Sequence, residues 1–351
     1  MSDTNMHCRV SIIIKAYNEE ANIVAAIESS LRAVAEVGGE VILADGHSTD
    51  RTVQRASRYP IRVVTLTNAA ERCCGVGPQL GYQHSQGEYV YILDGDMQMV
   101  PGFLPEALIF LAQHPEVAGV GGRVVEQNLH SMEYRERALR AAPHLSPGEV
   151  DRLDGGGLYR RRAVEESGFL SDRNLHSYEE FDLAVRLRSL GWKLWRLPVD
   201  AATHYGHDSP PYRLLVRRWR ARYVDGLGEL VRGAIGEEHM KLVVRGMREL
   251  KIYSGVLGWW TLLATVPFWR MPFGARLFFF AAIVATPLVL MAWRKQSWTR
   301  AAYSVVSWCF YTAGMLRGLA AGRKPPNAFI PSRVVREPVE TFPSNLREHQ
   351  S

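Results

Sequence analysis

Gly87-Glu88-Tyr89-Val90-Tyr91-Ile92-Leu93-Asp94-Gly95-Asp96 is the most informative run of the chain. Glu88–Leu93 is short, aromatic and β-branched, the composition of a buried strand. It stops at two carboxylates one residue apart. An Asp-Gly turn alone is commonplace, but two carboxylates at a strand end can grip a hard divalent cation, Mg²⁺ or Mn²⁺, together with a diphosphate. Upstream, Arg9–Ile14, Glu40–Leu43 and Ile61–Leu66 are similar short apolar runs. Between the first two, Ile23, Ala26, Ile27, Leu31 and Val34 recur at helical spacing. Asn18 is placed to cap that helix, with Glu19 and Glu20 in its first turn. A second helix is expected from Thr52. Strands alternating with helices imply a mostly parallel sheet with right-handed crossovers. Ligands bind such sheets at the carboxyl ends of the strands. The polar clusters Tyr17–Glu20, Asp45–Asp50 and Asp94–Asp96 all fall there.

Downstream the pattern loosens. A strand is expected within His114–Val125 and a charged helix over Glu133–Ala142. Gly155–Gly157 forms a loop before Leu158–Arg162. Tyr178–Leu190 reads as a helix with Glu179, Glu180 and Asp182 at its start, and Trp192–Leu197 as a strand followed by His204 and His207.

The chain has 351 residues and a net charge of +6, unevenly divided. Residues 1–208 carry 21 Lys and Arg against 28 acids, and residues 209–351 carry 21 against 8. A basic second half suits nucleic acid or an anionic membrane face. Three uncharged apolar runs favour the membrane: Ile252–Trp269, Leu277–Trp293 and Ala301–Leu316, each 16 to 18 residues long. They sit at the short end of a bilayer span. Leu214–Val231, with Arg217, Arg218, Arg220 and Arg222, reads as a basic amphipathic helix at the membrane surface. The tail from Arg323 is proline-rich and reads as extended or disordered. The first apolar run is a short strand, so no signal peptide is expected. The four cysteines form no C-x-x-C pair, which argues against a disulfide scaffold or zinc ribbon and for a reducing compartment. The expected division is 1–208, 209–251, 252–321 and 322–351.

Ile13–Glu20, Ala44–Asp50 and Gly87–Asp96 resemble, in order, the opening, second-strand and DxD motifs of family 2 glycosyltransferases. Gly155–Arg162 and Tyr178–Leu187 resemble the same family's acceptor half. The resemblance covers roughly residues 9–208. It implies an α/β fold of the GT-A type, a nucleotide-diphospho-sugar transferase sandwich with a mostly parallel central sheet, followed here by C-terminal membrane helices. It also implies transfer of a sugar from a nucleotide-sugar donor with inversion. By this resemblance Ala16, Tyr17 and Glu19 line the base pocket, and Asp45 accepts a hydrogen bond from the base or ribose. Arg72 meets the diphosphate, although Glu71–Gly81 departs from the family's usual run. Asp94 holds ribose or diphosphate, and Asp96 holds the metal. The family's general base is the second acid of an E-D pair, which here is Glu180, a Glu in place of Asp; Glu179 and Asp182 are rivals.

His204 is a third metal ligand or a diphosphate contact, or else a packed or surface histidine, and neutral imidazole is a common ligand. Arg217-Arg218-Trp219 matches the Q-x-x-R-W signature of processive polysaccharide synthases only in part, because Leu215 stands where that signature has Gln. The expected acceptor is a lipid-linked or cell-envelope glycan, and the expected location is the inner (cytoplasmic) membrane with the catalytic part facing the cytoplasm. A processive synthase and a non-catalytic sugar-nucleotide-binding membrane module are the competing readings. A nucleotidyltransferase would want a Gly-rich, basic loop where Tyr17–Glu20 stands, and nucleic acid is not an expected partner.

Overall fold

The computed structural model describes residues 8–127, 143–206 and 210–338. The helix expected over Glu133–Ala142, as well as His207, lies outside these residues. The chain divides into two compact units.

The first unit comprises residues up to Leu175, the segment from Glu179 and the segment from Lys324. Its strands are β1 (Val10–Ala16), β2 (Gly39–Asp45), β3 (Arg62–Leu66), β4 (Tyr89–Asp94), β5 (Met97–Met99), β6 (Val117–Glu126), β7 (Gly148–Val150), β8 (Leu158–Arg160), β9 (Lys193–His204) and β10 (Ser332–Arg336). They form one sheet in the order β10-β3-β2-β1-β4-β8-β6-β9-β5, with β7 beside β9. Its centre, β3-β2-β1-β4, is parallel, as expected. Both faces are covered, which is why Ile12, Ile13 and Ile14 of β1 follow one another without alternating with polar residues. Ile12 and Ile14 pack on one side with Ile23 and Ile27, while Ile13 packs on the other with Leu80 and Leu183. The first helix runs Ile23–Val37 and starts later than expected. Asn18 does not cap it. Asn18 has φ 56°, and its side-chain oxygen accepts from Thr49 N–H at 2.8 Å, so it ties two strand-end loops together instead.

Within the described part of the tail, residues 323–338, Ser332–Arg336 forms a strand. β10 pairs antiparallel with β3, closing the sheet's edge. Gln83 bonds both the N–H and the carbonyl of Ile330, whose side chain is fully buried. The unit that carries the strand-end loops therefore needs residues beyond 323, a division that differs from a boundary at 208.

The second unit holds helices Pro211–Arg220, Gly226–Ala234, Met240–Gly246, Glu249–Thr265, Phe273–Lys295 and Trp298–Ala320. The single amphipathic helix expected over Leu214–Val231 is broken. Arg222 turns at φ 61°, and a short 3₁₀ turn, Tyr223–Asp225, intervenes. Gly314 and Gly318 let the last helix close on Val224 and Asp225; a Cβ on Gly318 would lie 2.2 Å from the Asp225 carbonyl oxygen. Arg317 grips the fully buried Asp225 carboxylate with two nitrogens, at 2.8 and 2.7 Å, and stacks on Trp219. Of the three apolar runs, only Phe273–Lys295 is long and apolar enough to cross a membrane among the described residues. It exposes Phe278, Phe280, Leu290 and Trp293.

Candidate active site

Parallel register brings the ends of β1, β2 and β4 side by side, pairing Ala16 with Asp45 and Lys15 with Asp94. The loops that follow are stitched by short polar side chains. Thr52 Oγ accepts from Glu19 N–H at 2.8 Å, Asp50 from Glu20 N–H at 3.0 Å, and Ser48 Oγ from Asn18 N–H at 2.9 Å. Glu20 in turn pairs with Arg51. Glu19 and Glu20 therefore lock loops instead of opening a helix.

The residues expected to hold a nucleotide fall into two kinds. Tyr17 is exposed, and the Arg72 guanidinium lies 3.7 Å above its ring centroid, a cation–π pair. Ala16 and Asp45 act from within. Ala16 is in the core, and its carbonyl accepts from Gly46 N–H at 2.8 Å. Asp45 is fully buried, and its carboxylate accepts the N–H groups of His47 and Ser48 at 3.1 Å. Burial pushes its pKa up against those bonds. Asp45 thus shapes the second loop. Gly95 is required between the two acids, because a Cβ there would lie 2.9 Å from Glu19 Cγ and 3.0 Å from Ala16 Cβ.

Behind these loops lies a residue that sequence reasoning did not single out. Lys15 donates to Asp94 Oδ1 at 3.0 Å and to Glu179 Oε1 at 2.9 Å. Burial works against its charge, but Asp94, Glu179 and Glu180 hold its pKa well above the usual lysine range. The signal was present: a lysine inside the otherwise apolar Val10–Ala16 strand has to be paired.

The three acids of the Glu179–Ser189 helix have separate fates. Glu179 is paired with Lys15. Asp182 is buried and accepts from Arg186 Nε at 2.8 Å; Arg186 also stacks on Phe169 and bonds the carbonyls of Ser167, Phe169 and Leu170. Its pairing is that of a structural ion pair. Glu180 has no cation within ion-pair distance among the described residues. Its oxygens accept the N–H groups of Gly155 and Gly156, each at 3.1 Å. Burial, joined by Glu179, Asp154 and Asp94 and opposed by Lys15, pushes its pKa up to about 8.

Asp96 points the other way, towards β9. His204 Nε2 lies 3.3 Å from Asp96 Oδ2, and His204 Nδ1 lies 2.6 Å from Glu126 Oε2. Burial opposes a charge on His204, but the bonds to Asp96 and Glu126 push its pKa up to about 9. The ring thus lies between two carboxylates. Glu126, brought opposite His204 by the β6–β9 register, was not foreseen, since no local pattern reveals a cross-strand neighbour. Among the described residues no three His, Cys, Asp or Glu side chains converge on a preformed metal cage. That donor set still fits Mg²⁺ or Mn²⁺, which take one or two carboxylates and complete their shell with phosphate oxygens and water.

Residues 11–168 match the family model described as glycosyl transferase family 2. The chain is 28% identical over 217 residues to the EpsE glycosyltransferase of Bacillus subtilis, covering 58% of this chain and 75% of that protein. It is 30% identical to the undecaprenyl-phosphate 4-deoxy-4-formamido-L-arabinose transferase of Pectobacterium carotovorum, covering 31% of this chain but only 36% of that one. The fold is shared with the mannosyltransferase PcManGT of Pyrobaculum calidifontis, solved with GDP-Man and Mn²⁺, at a TM-score of 0.56 and 18% identity, over 89% of this chain and 87% of that one. The matched segment is a glycosyltransferase domain of family 2 with the GT-A fold. The chain is accordingly a transferase enzyme.

Proposed function

We propose that this enzyme moves a sugar from a nucleotide-diphosphate donor to a hydroxyl of a lipid-linked or cell-envelope glycan, with inversion, and that Glu180 is the general base. One observation carries the assignment of the base. Of the three candidate acids, Glu179 is neutralised by Lys15 and Asp182 by Arg186, whereas among the described residues Glu180 is held by amide N–H groups alone, with a pKa near the working range. A base of matched pKa is what proton abstraction from a hydroxyl requires. In the reaction Glu180 takes the acceptor's proton as its oxygen attacks the anomeric carbon. The bond from that carbon to the diphosphate breaks on the opposite face, and the nucleoside diphosphate departs with the electron pair.

Asp96, with Asp94 beside it, would hold a divalent cation, Mg²⁺ or Mn²⁺, and that cation would offset charge on the departing diphosphate. Tyr17 and Arg72 frame the opening for the base and phosphates. The lipid-linked acceptor is supported by the exposed apolar helix Phe273–Lys295 and by the likeness to a transferase named for undecaprenyl phosphate. The location that follows is the cytoplasmic membrane, with the catalytic unit on the cytoplasmic side, where nucleotide sugars are made. Thermal unfolding of the detergent-purified chain with individual nucleotide sugars and Mn²⁺ tests the donor half. A donor at one hundred times its Kd stabilises by about 2.7 kcal/mol. A flat response to every UDP- and GDP-sugar would contradict the proposal.

A further inference from the structure

Arg196, on β9, is among the largest fully buried side chains in the molecule. A buried guanidinium is costly unless its donors are met. Here they are met by backbone carbonyls. Nε donates to the His144 carbonyl at 2.8 Å, one terminal nitrogen to the Gly122 carbonyl, and the other to the Asp154 carbonyl at 3.4 Å. No carboxylate pairs directly with it among the described residues, so the side chain works as a clamp on three backbone segments.

Gly121 lies opposite Arg196 in the β6–β9 register. The segment held at Asp154 is the one whose next two N–H groups bind Glu180. That loop has little freedom elsewhere. Gly155 and Gly156 sit at φ 82° and 101°, and a Cβ on Gly156 would lie 2.6 Å from the Ile92 carbonyl oxygen. The Asp154 side chain is fixed separately, by His144 at 3.0 Å and Arg152 at 3.2 Å.

We propose that Arg196 is a positioning residue for Glu180: by holding the Asp154 carbonyl it fixes the Gly155–Gly156 amides that aim the Glu180 carboxylate at the acceptor hydroxyl. The proposal rests on the reading of Glu180 as general base. Arg196 touches neither donor nor acceptor in this scheme and acts only through the loop. The charged and titratable groups facing Glu180 are Lys15 from β1, Asp94 and Tyr91 from β4, Asp154 from the loop, Tyr159 from β8, Glu179 from its own helix and Arg196 from β9. Arg196 and Lys15 are the cations of this set. Losing Arg196 removes one cation and loosens two amide donors, and both changes disfavour the ionised carboxylate.

The test uses the full chain with Arg196→Met, Arg196→Lys and Glu180→Gln, reading kcat against pH together with donor KM. Arg196→Met is expected to lower kcat at least tenfold and to move the acidic limb of its pH profile upward, with donor KM within twofold of wild type. Arg196→Lys keeps a cation but not the fork, and should recover most of the limb position and part of kcat. If Arg196→Met fails to fold, Arg196→Lys decides alone: a kcat within twofold of wild type overturns the proposal. So does an Arg196→Met enzyme of lowered thermal stability whose kcat and pH limb are unchanged, the behaviour of a merely structural residue. Full activity in Glu180→Gln overturns the base reading itself, and the positioning role with it; an inactive Glu180→Gln beside a normal Arg196→Met removes only the latter.

Discussion

Replacing Glu180 by Gln keeps shape and polarity and removes the proton acceptor. Removal of a general base costs ~10²–10⁴ in rate. The loss should fall on kcat, with donor KM nearly unchanged, because Glu180 faces the glycine loop and not the residues proposed to hold the nucleotide. The same substitution has a stability signature of known sign. The pKa of Glu180 rises from 4.5 unfolded to about 8 folded. Between those values the native state binds more protons than the unfolded state, so wild-type stability falls as pH rises through the window. At one pKa unit per 1.36 kcal/mol, the fall attributable to Glu180 is at most about 5 kcal/mol. Glu180→Gln should therefore flatten the stability profile between pH 5 and 8 and be relatively more stable at the alkaline end, while its kcat collapses. Parallel denaturation at several pH values and steady-state release of nucleoside diphosphate measure both halves. If Glu180→Gln retains more than about a tenth of kcat while Glu179→Gln does not, the base is Glu179 and the reasoning fails.

Other outcomes follow from the same geometry. Asp96→Ala should abolish cation-dependent turnover and weaken Mn²⁺-dependent donor binding by calorimetry; undiminished turnover in EDTA would remove the metal role. Lys15→Met strips Asp94 and Glu179 of their shared cation and should destabilise the chain by about 3–5 kcal/mol in urea, the cost of leaving buried charge unpaired. Ile330→Ala, in the strand-bearing tail, should cost about 2–5 kcal/mol, and a soluble fragment ending at 208 should aggregate because it exposes the β3 edge. Deleting Phe273–Lys295 should release the chain from membrane pellets.

The central sheet was legible because β1 and β4 are short, β-branched and bounded by polar clusters, and a buried parallel strand has few other compositions. The first helix was placed too early because Asn18–Glu20 looks like a cap locally, whereas its polar groups answer to Thr49, Asp50 and Thr52 across 30 or so residues. The tail strand was missed for the opposite reason: Ser332–Arg336 has weak local pattern and is fixed by an edge that residues 62–66 supply. Within the site, Asp94, Asp96 and Glu180 were visible as motif positions. Their division of labour was not, since Lys15 selects Glu179, Arg186 selects Asp182 and the Gly155–Gly156 amides select Glu180 through contacts that only the fold creates.

Cation-dependent inverting sugar transfer is read out by supplying the detergent-purified chain with Mn²⁺, the nucleotide sugar that stabilises it and a polyprenyl-phosphate or glycan-lipid acceptor, and determining the product's anomeric configuration by NMR. The expected products are stoichiometric nucleoside diphosphate and a new linkage of the configuration opposite to the donor's. Retained configuration, or turnover that persists undiminished in Glu180→Gln, would contradict it.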